Sequence, residues 1–451
     1  MRLGVRIVAQ VRNRRQALQG LAAGGLAAAW PRTGRAAADL SALRIDAARL
    51  RADLEGLSVY GRPAGGTFAD GVSRVAYSDA DVAGRAYVMG LLREAGGTPR
   101  IDAAGNIRVR REGTVAGLKP IMIGSHIDSV PGGGNFDGDV GSLSALEVLR
   151  TLNAAKAPLR HPLELAIWSN EEGGTIGSGW AAGVLGKDAL EGMGPTGVRR
   201  ADGLRKIGGD PDRLADAVIP KGSLAAYIEL HIEQSGLLEK AGVPIGVVDG
   251  IVAIDEYEVE IKGFANHAGT TPMPDRRNAL LAAAKLIEAV QEEVTREPGR
   301  QVGTVGHLEV SPNARNVVPG LVRHTIELRD LDAPKLKAIA QRIQARAAAI
   351  AAETKTEITI RSADMDPPAI ATPRLQKHIE AAAAGLGLKT MHLPSGAGHD
   401  AAMLADVADM AMIFVPSVAG ISHSPHELTH WEDCANGANV LLQTVLRIDA
   451  E

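Results

Sequence analysis

Two short stretches concentrate groups able to hold a cation. Gly124-Ser125-His126-Ile127-Asp128-Ser129-Val130 carries an imidazole. Gly132-Gly133-Gly134-Asn135-Phe136-Asp137-Gly138 brings in a carboxylate through glycines that let the backbone turn tightly against an ion. An imidazole that ligates metal needs a partner to fix its tautomer, and the Asp128 carboxylate, two residues on, stands where that partner would be. A phosphate cradle is the other reading of so glycine-rich a loop, but no Gly-Lys-Ser/Thr follows it. Glu171-Glu172 is the second signal: adjacent carboxylates repel unless a cation is near, which suits one as ligand and the other as base. Taken alone, paired glutamates more often open a solvated helix. His231, in Glu229-Leu230-His231-Ile232-Glu233-Gln234, and His423, in Gly420-Ile421-Ser422-His423-Ser424-Pro425, complete the set.

A competing motif lies just beyond. His426-Glu427-Leu428-Thr429-His430 matches the H-E-x-x-H pattern of zinc proteases, which requires both histidines on one face of a continuous helix. Ser424-Pro425 precedes it, however, and Thr429-His430-Trp431-Glu432 has the form of a capping box opening a helix over 431–447. With Thr429 as N-cap, His426 falls outside the helix and cannot pair with His430, so the match is read as coincidence.

The elements that must position these groups are legible as apolar runs. Pro120 to Gly124, Leu163 to Trp168, Ala225 to Leu230 and Met410 to Val415 have strand length, and each leads into one of the candidate groups. Helical stretches, such as 141–153 and 371–384, separate them. Strand–helix alternation predicts an α/β fold with a mostly parallel sheet and helices on both faces, whose sites sit beyond the carboxyl ends of the strands. Between residues 250 and 361 the pattern changes to strand 254–261, helix 275–296, strands 302–310 and 321–328, helix 333–352 and strand 356–360. This βαββαβ order predicts an inserted α+β domain with its own core. The expected layout is a discontinuous metal-binding catalytic domain, 39–249 and 362–451, interrupted by the insertion.

Composition narrows the chemistry. With 451 residues the chain exceeds what one core usually supports. A net charge of -4 offers no basic field for nucleic acid. The single cysteine, Cys434, excludes intrachain disulfides and thiolate clusters, so any metal must be held by His and carboxylate. Residues 1–38 form a different text: Arg14-Arg15, an Ala- and Gly-rich apolar stretch to Trp30, then Arg35-Ala36-Ala37-Ala38. That order predicts a twin-arginine export signal and a periplasmic or secreted protein, with a cytoplasmic enzyme bearing an Arg/Ala-rich extension as the alternative. Elsewhere no run approaches the roughly 18 apolar residues of a membrane span.

Taken in order, the segments at 124–128, 135–138, 170–173, 229–234, 267–273, 394–400 and 421–425 resemble the hydantoinase/carbamoylase amidase family. That family includes N-carbamoyl-L-amino-acid hydrolases, allantoate amidohydrolases and β-ureidopropionases, within the wider zinc carboxypeptidase and aminoacylase superfamily. The match runs from about Leu50 to Leu446.

The resemblance implies two divalent ions per subunit, zinc first, with manganese, cobalt or nickel as alternatives. Asp137 would bridge them, with His126 and His231 completing one site and Glu172 and His423 the other. Glu171 would be the general base and His267 an oxyanion donor, with Asp128, as the partner of His126, also counted among the catalytic residues. Gln234, His267, Asn316 and Arg329 would meet the substrate, with backbone at Gly396 and Ala397 near its carboxylate. The implied reaction is cleavage of the carbamoyl or ureido C–N bond of an N-carbamoyl-L-amino acid. Allantoate is the alternative substrate, and an exported binder of ureido compounds or metal is the alternative of another class. The inserted domain would form a homodimer, bringing His267 and Asn316 to the metals within a subunit or across the pair. One departure matters: after Glu172 the chain reads Gly173-Gly174-Thr175-Ile176-Gly177-Ser178, where relatives carry Ser-Arg-Phe and a longer loop, so that side of the pocket is reshaped.

Overall fold

The computed structural model describes residues Leu40–Glu451; the expected export signal, 1–38, lies outside them. The chain first lays down β1 (Arg100–Ile101), β2 (Ile107–Arg111), β3 (Ile121–His126), β4 (Leu163–Trp168), β5 (Ala226–Ile232) and β6 (Ile245–Ile251). It continues with β7 (Ala253–Lys262), β8 (Asn266–His267), β9 (Val302–Thr304), β10 (Leu308–Ser311), β11 (Val317–Val318), β12 (Leu321–Asp330) and β13 (Glu357–Asp366). It ends with β14 (Ala369–Ile370), β15 (Thr390–Ser395) and β16 (Met410–Val415).

The large sheet runs β1-β2-β4-β3-β5-β16-β6-β14, with β15 also on β6. Its centre, β4-β3-β5-β16, is parallel. The margins are not: β2 meets β4, and β6 meets β16, antiparallel. The alternation of strands and helices therefore describes the middle of the sheet, while its edges are mixed. All four central strands are buried along their whole length, which is why they read as largely apolar runs without strict alternation, the buried Glu164 and Glu229 being the charged exceptions. Helices cover both faces. One face packs Val140, Leu143 and Leu146 of the helix Asp139–Ala154 and Leu441 and Val445 of the helix Trp431–Asp449; the other packs Leu404 under Met412 and Phe414. Each fully buried Leu, Ile or Val contributes about 1.5–3 kcal/mol of transfer free energy.

The inserted segment makes a second sheet, β10-β12-β7-β13 with β9 on β12, and a separate β8–β11 pair. Two helices, Ala279–Thr295 and Ala333–Thr354, cover one face, burying Ala282, Leu286, Val290, Leu336, Ile339 and Ile343 against Val259, Val322 and Ile326. The helix starts at 279 rather than 275 because the Asn278 side chain accepts from Leu280 N and Leu281 N, ending the preceding turn. The strand expected over 302–310 is two strands separated by residues 305–307.

Residues 426–430 are not helical. The N-cap of the last helix is His430, not Thr429, whose hydroxyl instead donates to Pro416 O at 3.0 Å. The capping box does not form, yet the protease-like motif still lacks its helix. Among the described residues no helix is long and apolar enough to cross a membrane.

Candidate metal centre

At the carboxyl end of the central strands, β3 terminates on His126 and β5 carries His231. The turn after β4 delivers Glu171 and Glu172, and the loop after β16 reaches His423. Strand pairing sets His126 opposite Trp168 and His231 opposite Phe414, so the four chain segments leave the sheet side by side. The turns that follow are tight: Asn170, Gln234 and His423 all adopt left-handed φ of 53–54°. Gly138, at φ 67°, has the His126 ring where a Cβ would stand, so only glycine lets Asp137 approach the imidazole.

Asp137 stands at the middle. Its Oδ1 lies 3.1 Å from His231 Nε2 and 3.7 Å from His126 Nε2. Its Oδ2 lies 3.3 Å from His423 Nε2 and accepts from Gln234 Nε2 at 2.9 Å. Glu172 Oε2 is 3.5 Å from His423 Nε2, and Glu171 Oε2 is 3.7 Å from His126 Nε2. Among the described residues three groups of side chains each offer ligand atoms to a common point: His126–Asp137–His231 and Asp137–Glu172–His423, with the aspartate in both, and the buried Glu229–His231–His399, which shares His231 with the first. Two ligands bonded at about 2.1 Å in a tetrahedron stand about 3.4 Å apart, the spacing found here. Backbone carbonyls fix the rings: His126 Nδ1 meets Asp128 O at 3.0 Å and His231 Nδ1 meets Ile232 O at 2.9 Å, leaving each Nε2 lone pair for a cation.

The Asp128 side chain does something other than the sequence suggests. Its carboxylate is 3.9 Å from His126 Nδ1, farther than its own main-chain oxygen. The two carboxylate oxygens instead accept from Glu171 N and Glu172 N, each at 3.2 Å, and so hold the paired glutamates in place.

The electrostatics suit a positive charge at this point. Burial, then the Asp400 and Glu172 carboxylates, hold Glu171 well above the usual carboxylate range. Burial and then Asp137 push Glu172 up to about 8. Burial alone would also raise Asp137, but His231 and His423 outweigh it and keep it well below that range. Burial draws His126 down to about 4. His231, despite burial, is pushed up to about 9 by Asp137. Glu172 Oε1 is buried with no hydrogen-bond partner. A divalent cation would satisfy that oxygen and restore the charged carboxylates, and a donor set of imidazole and carboxylate suits zinc, manganese, cobalt or nickel.

A cleft of about 640 Å³ opens from this cluster to the inserted sheet. Gln234, Ala397 and Arg329 line it. Arg329 is fixed at the domain boundary, donating through Nη1 to Gly396 O and through Nε to Glu327, each at 2.7 Å. Val184, Leu185, Ala402 and Met403 form an apolar wall beyond Gly174 and Thr175. His267 and Asn316 are not brought to the cleft; they sit exposed on the β8–β11 ribbon, where Ala268 N donates to Asn316 O. His267 Nδ1 accepts from Gly269 N and Thr270 N, so its proton is on Nε2.

Two buried residues escaped the sequence reading. His399 packs its ring 4.4 Å from that of His231 and pairs with Ser395 Oγ. Glu427, inside the dismissed protease-like motif, accepts from Phe136 N and Asp137 N. Neither has a periodic signal; only the folded loops show them.

An α/β domain with imidazoles and carboxylates gathered at its strand ends, interrupted by a small sandwich, is the architecture of a metal-dependent hydrolase. Comparison with known proteins makes this specific. Residues 122–447 match Peptidase family M20/M25/M40, and the chain belongs to that family. It is 40% identical over 383 residues to an N-carbamoyl-L-amino acid amidohydrolase of Geobacillus stearothermophilus, covering 84% of this chain and 93% of that one. It is 35% identical over 428 residues to a ureidoglycolate hydrolase of Arabidopsis thaliana, covering 91% and 88%. The crystal structure of a hydantoinase/carbamoylase family amidase from Burkholderia multivorans superposes with a TM-score of 0.82 at 37% identity, covering 91% of this chain and 99% of that one. The protein is a hydrolase acting on carbon–nitrogen bonds other than peptide bonds.

Proposed function

We propose that this protein hydrolyses N-carbamoyl-L-amino acids with two divalent ions, one held by His126, His231 and Asp137 and the other by Asp137, Glu172 and His423. The observation that carries the reading is the Asp137 carboxylate, whose two oxygens each face a different ligand group. Ions held by these residues would supply Lewis acidity, lowering the pKa of water toward about 7 and offsetting negative charge that develops on the substrate carbonyl. Glu171, adjacent to His126, takes one proton from the attacking water and returns it to the departing nitrogen. Asp128 keeps Glu171 and Glu172 aimed through their backbone. Hydrolysis consumes one water and releases the amino acid, carbon dioxide and ammonia.

Arg329 and the Gly396–Ala397 backbone receive the substrate carboxylate, Gln234 lies beside the ions, and the apolar wall of Val184, Leu185, Ala402 and Met403 receives the side chain. This wall favours an apolar carbamoyl amino acid over allantoate or ureidoglycolate. Against these four side chains their additional polar groups would lose water, at about 1–3 kcal/mol for each one left unpaired. His267 and Asn316 reach the carbonyl through domain closure or from the second subunit of a homodimer; Phe264 and Met273, 60% and 72% exposed on the inserted domain, support such pairing. Residues 1–38 direct twin-arginine export, which N-terminal sequencing of periplasmic protein tests.

The decisive experiment is ammonia release by zinc- or manganese-loaded protein from N-carbamoyl amino acids, allantoate, ureidopropionate and dipeptides. Carbamoyl-methionine or -leucine is expected to rank first. Cleavage of dipeptides without ammonia sinks the proposal, and a preference for allantoate reassigns the substrate.

A further inference from the structure

The H-E-x-x-H match is no protease motif, yet its glutamate is among the most constrained side chains near the cluster. Glu427 is 4% exposed and joins two loops about 290 residues apart in the chain. Its Oε1 accepts from Phe136 N at 3.0 Å and Asp137 N at 3.1 Å. Its Oε2 accepts from Ser422 Oγ at 2.9 Å, and that hydroxyl also lies 3.3 Å from Asp137 Oδ2. Ser422 immediately precedes His423 in the chain. Gly134 leaves room for this carboxylate: a Cβ there would collide with Glu427. The segment bearing Glu427 is itself tied down, by Val418 N to Leu428 O and by Thr429 Oγ1 to Pro416 O.

We infer that Glu427 is a positioning residue that clamps the Asp137 loop to the His423 loop and so sets the spacing of the second ion site. The inference rests on the dinuclear reading above. The two sites differ in how far they depend on this clamp. His126 and His231 are 1% exposed and oriented by carbonyls at their own strand ends. The His423 side chain is 51% exposed, and its loop is fastened to the Asp137 loop through Ser422 and Glu427. A lost clamp therefore frees the Asp137–Glu172–His423 site first. Removing an outer partner of a metal ligand typically weakens metal by about 10- to 100-fold.

The test is zinc titration of the full chain against a chelating dye, with metal counted by mass spectrometry. Wild type is expected to bind two zinc ions. Glu427→Ala is expected to keep one at nearly unchanged affinity and to bind the other about 10- to 100-fold more weakly. Glu427→Gln, whose carbonyl can still accept from both amides while its NH2 donates to Ser422, is expected to recover most of that loss. Should Glu427→Ala fail to fold, Ser422→Ala and Gly134→Ala break the clamp from either side and are expected to weaken the same ion. Two ions bound at wild-type affinity by these variants, equal weakening of both ions, or a Gln variant as weak as Ala overturns the inference. A wild type that binds no ion pair overturns the dinuclear reading instead, so the two failures are distinct.

Discussion

The metal cluster and the β8–β11 ribbon are built on opposite plans. In the first, His126, Asp137 and His231 are buried, each ring is oriented by a carbonyl, and the carboxylates share neighbours. In the second, His267 and Asn316 stand in the open on a two-residue pairing, yet His267 has its tautomer fixed by two amides. The contrast suggests a division of labour. On the proposed reading, the strand ends carry a finished cage, and the β8–β11 ribbon carries an aimed donor still to be delivered.

The strongest way to break this contrast is at the shared aspartate. Asp137→Asn is expected to reduce bound metal to one ion or none and to abolish ammonia release; a variant with two ions and normal turnover removes the cage from the account. Next comes Glu171→Gln, expected to keep metal content while losing about 100- to 10,000-fold in kcat, as general acid–base residues do. Unchanged turnover would remove Glu171 as the general base.

His267→Ala is expected to cost about 100- to 1,000-fold, the usual worth of an oxyanion donor. Mixing it with Glu171→Gln sharpens the comparison. If the donor crosses a symmetric dimer, re-equilibrated mixtures hold about a quarter of sites with both wild-type groups, and activity returns to about that level. If it acts within its own subunit, the mixture stays inactive. Leu185→Ala is a smaller perturbation, expected to raise KM for large apolar carbamoyl amino acids about tenfold while leaving carbamoylglycine unaffected.

The smallest effect is on stability. In the metal-free protein Glu172 is raised from 4.5 to about 8, so between those values the folded form holds a proton that the unfolded form has released. Stability is then lost as pH rises through this window. His231, raised from 6.5 to about 9, acts in the same direction. His126, lowered to about 4, opposes them only below its unfolded value of 6.5. Between pH 6.5 and 8 the melting temperature of chelator-treated protein should therefore fall relative to metal-loaded protein; a constant gap counts against these assignments.

Much of this was legible because buried strands advertise themselves. The runs leading toward His126, Glu171, His231 and His423 are buried throughout and largely apolar, and parallel strands must send such residues to one edge. What stayed hidden depended on which oxygen of a residue does the bonding or on loops meeting in space. Asp128 was expected to orient His126 through its carboxylate, and does so through its carbonyl. Thr429 resembled a cap because the motif is local, whereas Pro416 O, the partner its hydroxyl found, is not. Glu427 could not be read at all, since its donors at Phe136 and Asp137 lie almost the whole catalytic domain away in sequence.

Arg329 carries one last consequence. Its guanidinium has five N–H groups, and Glu327 and Gly396 engage two of them. The side chain has already surrendered its rotational freedom on folding, so a carboxylate entering the cleft meets a fork held flat with donors to spare, and little further ordering is needed to grip it. A lysine at this position would offer a swivelling point charge instead, with looser aim for whatever it holds.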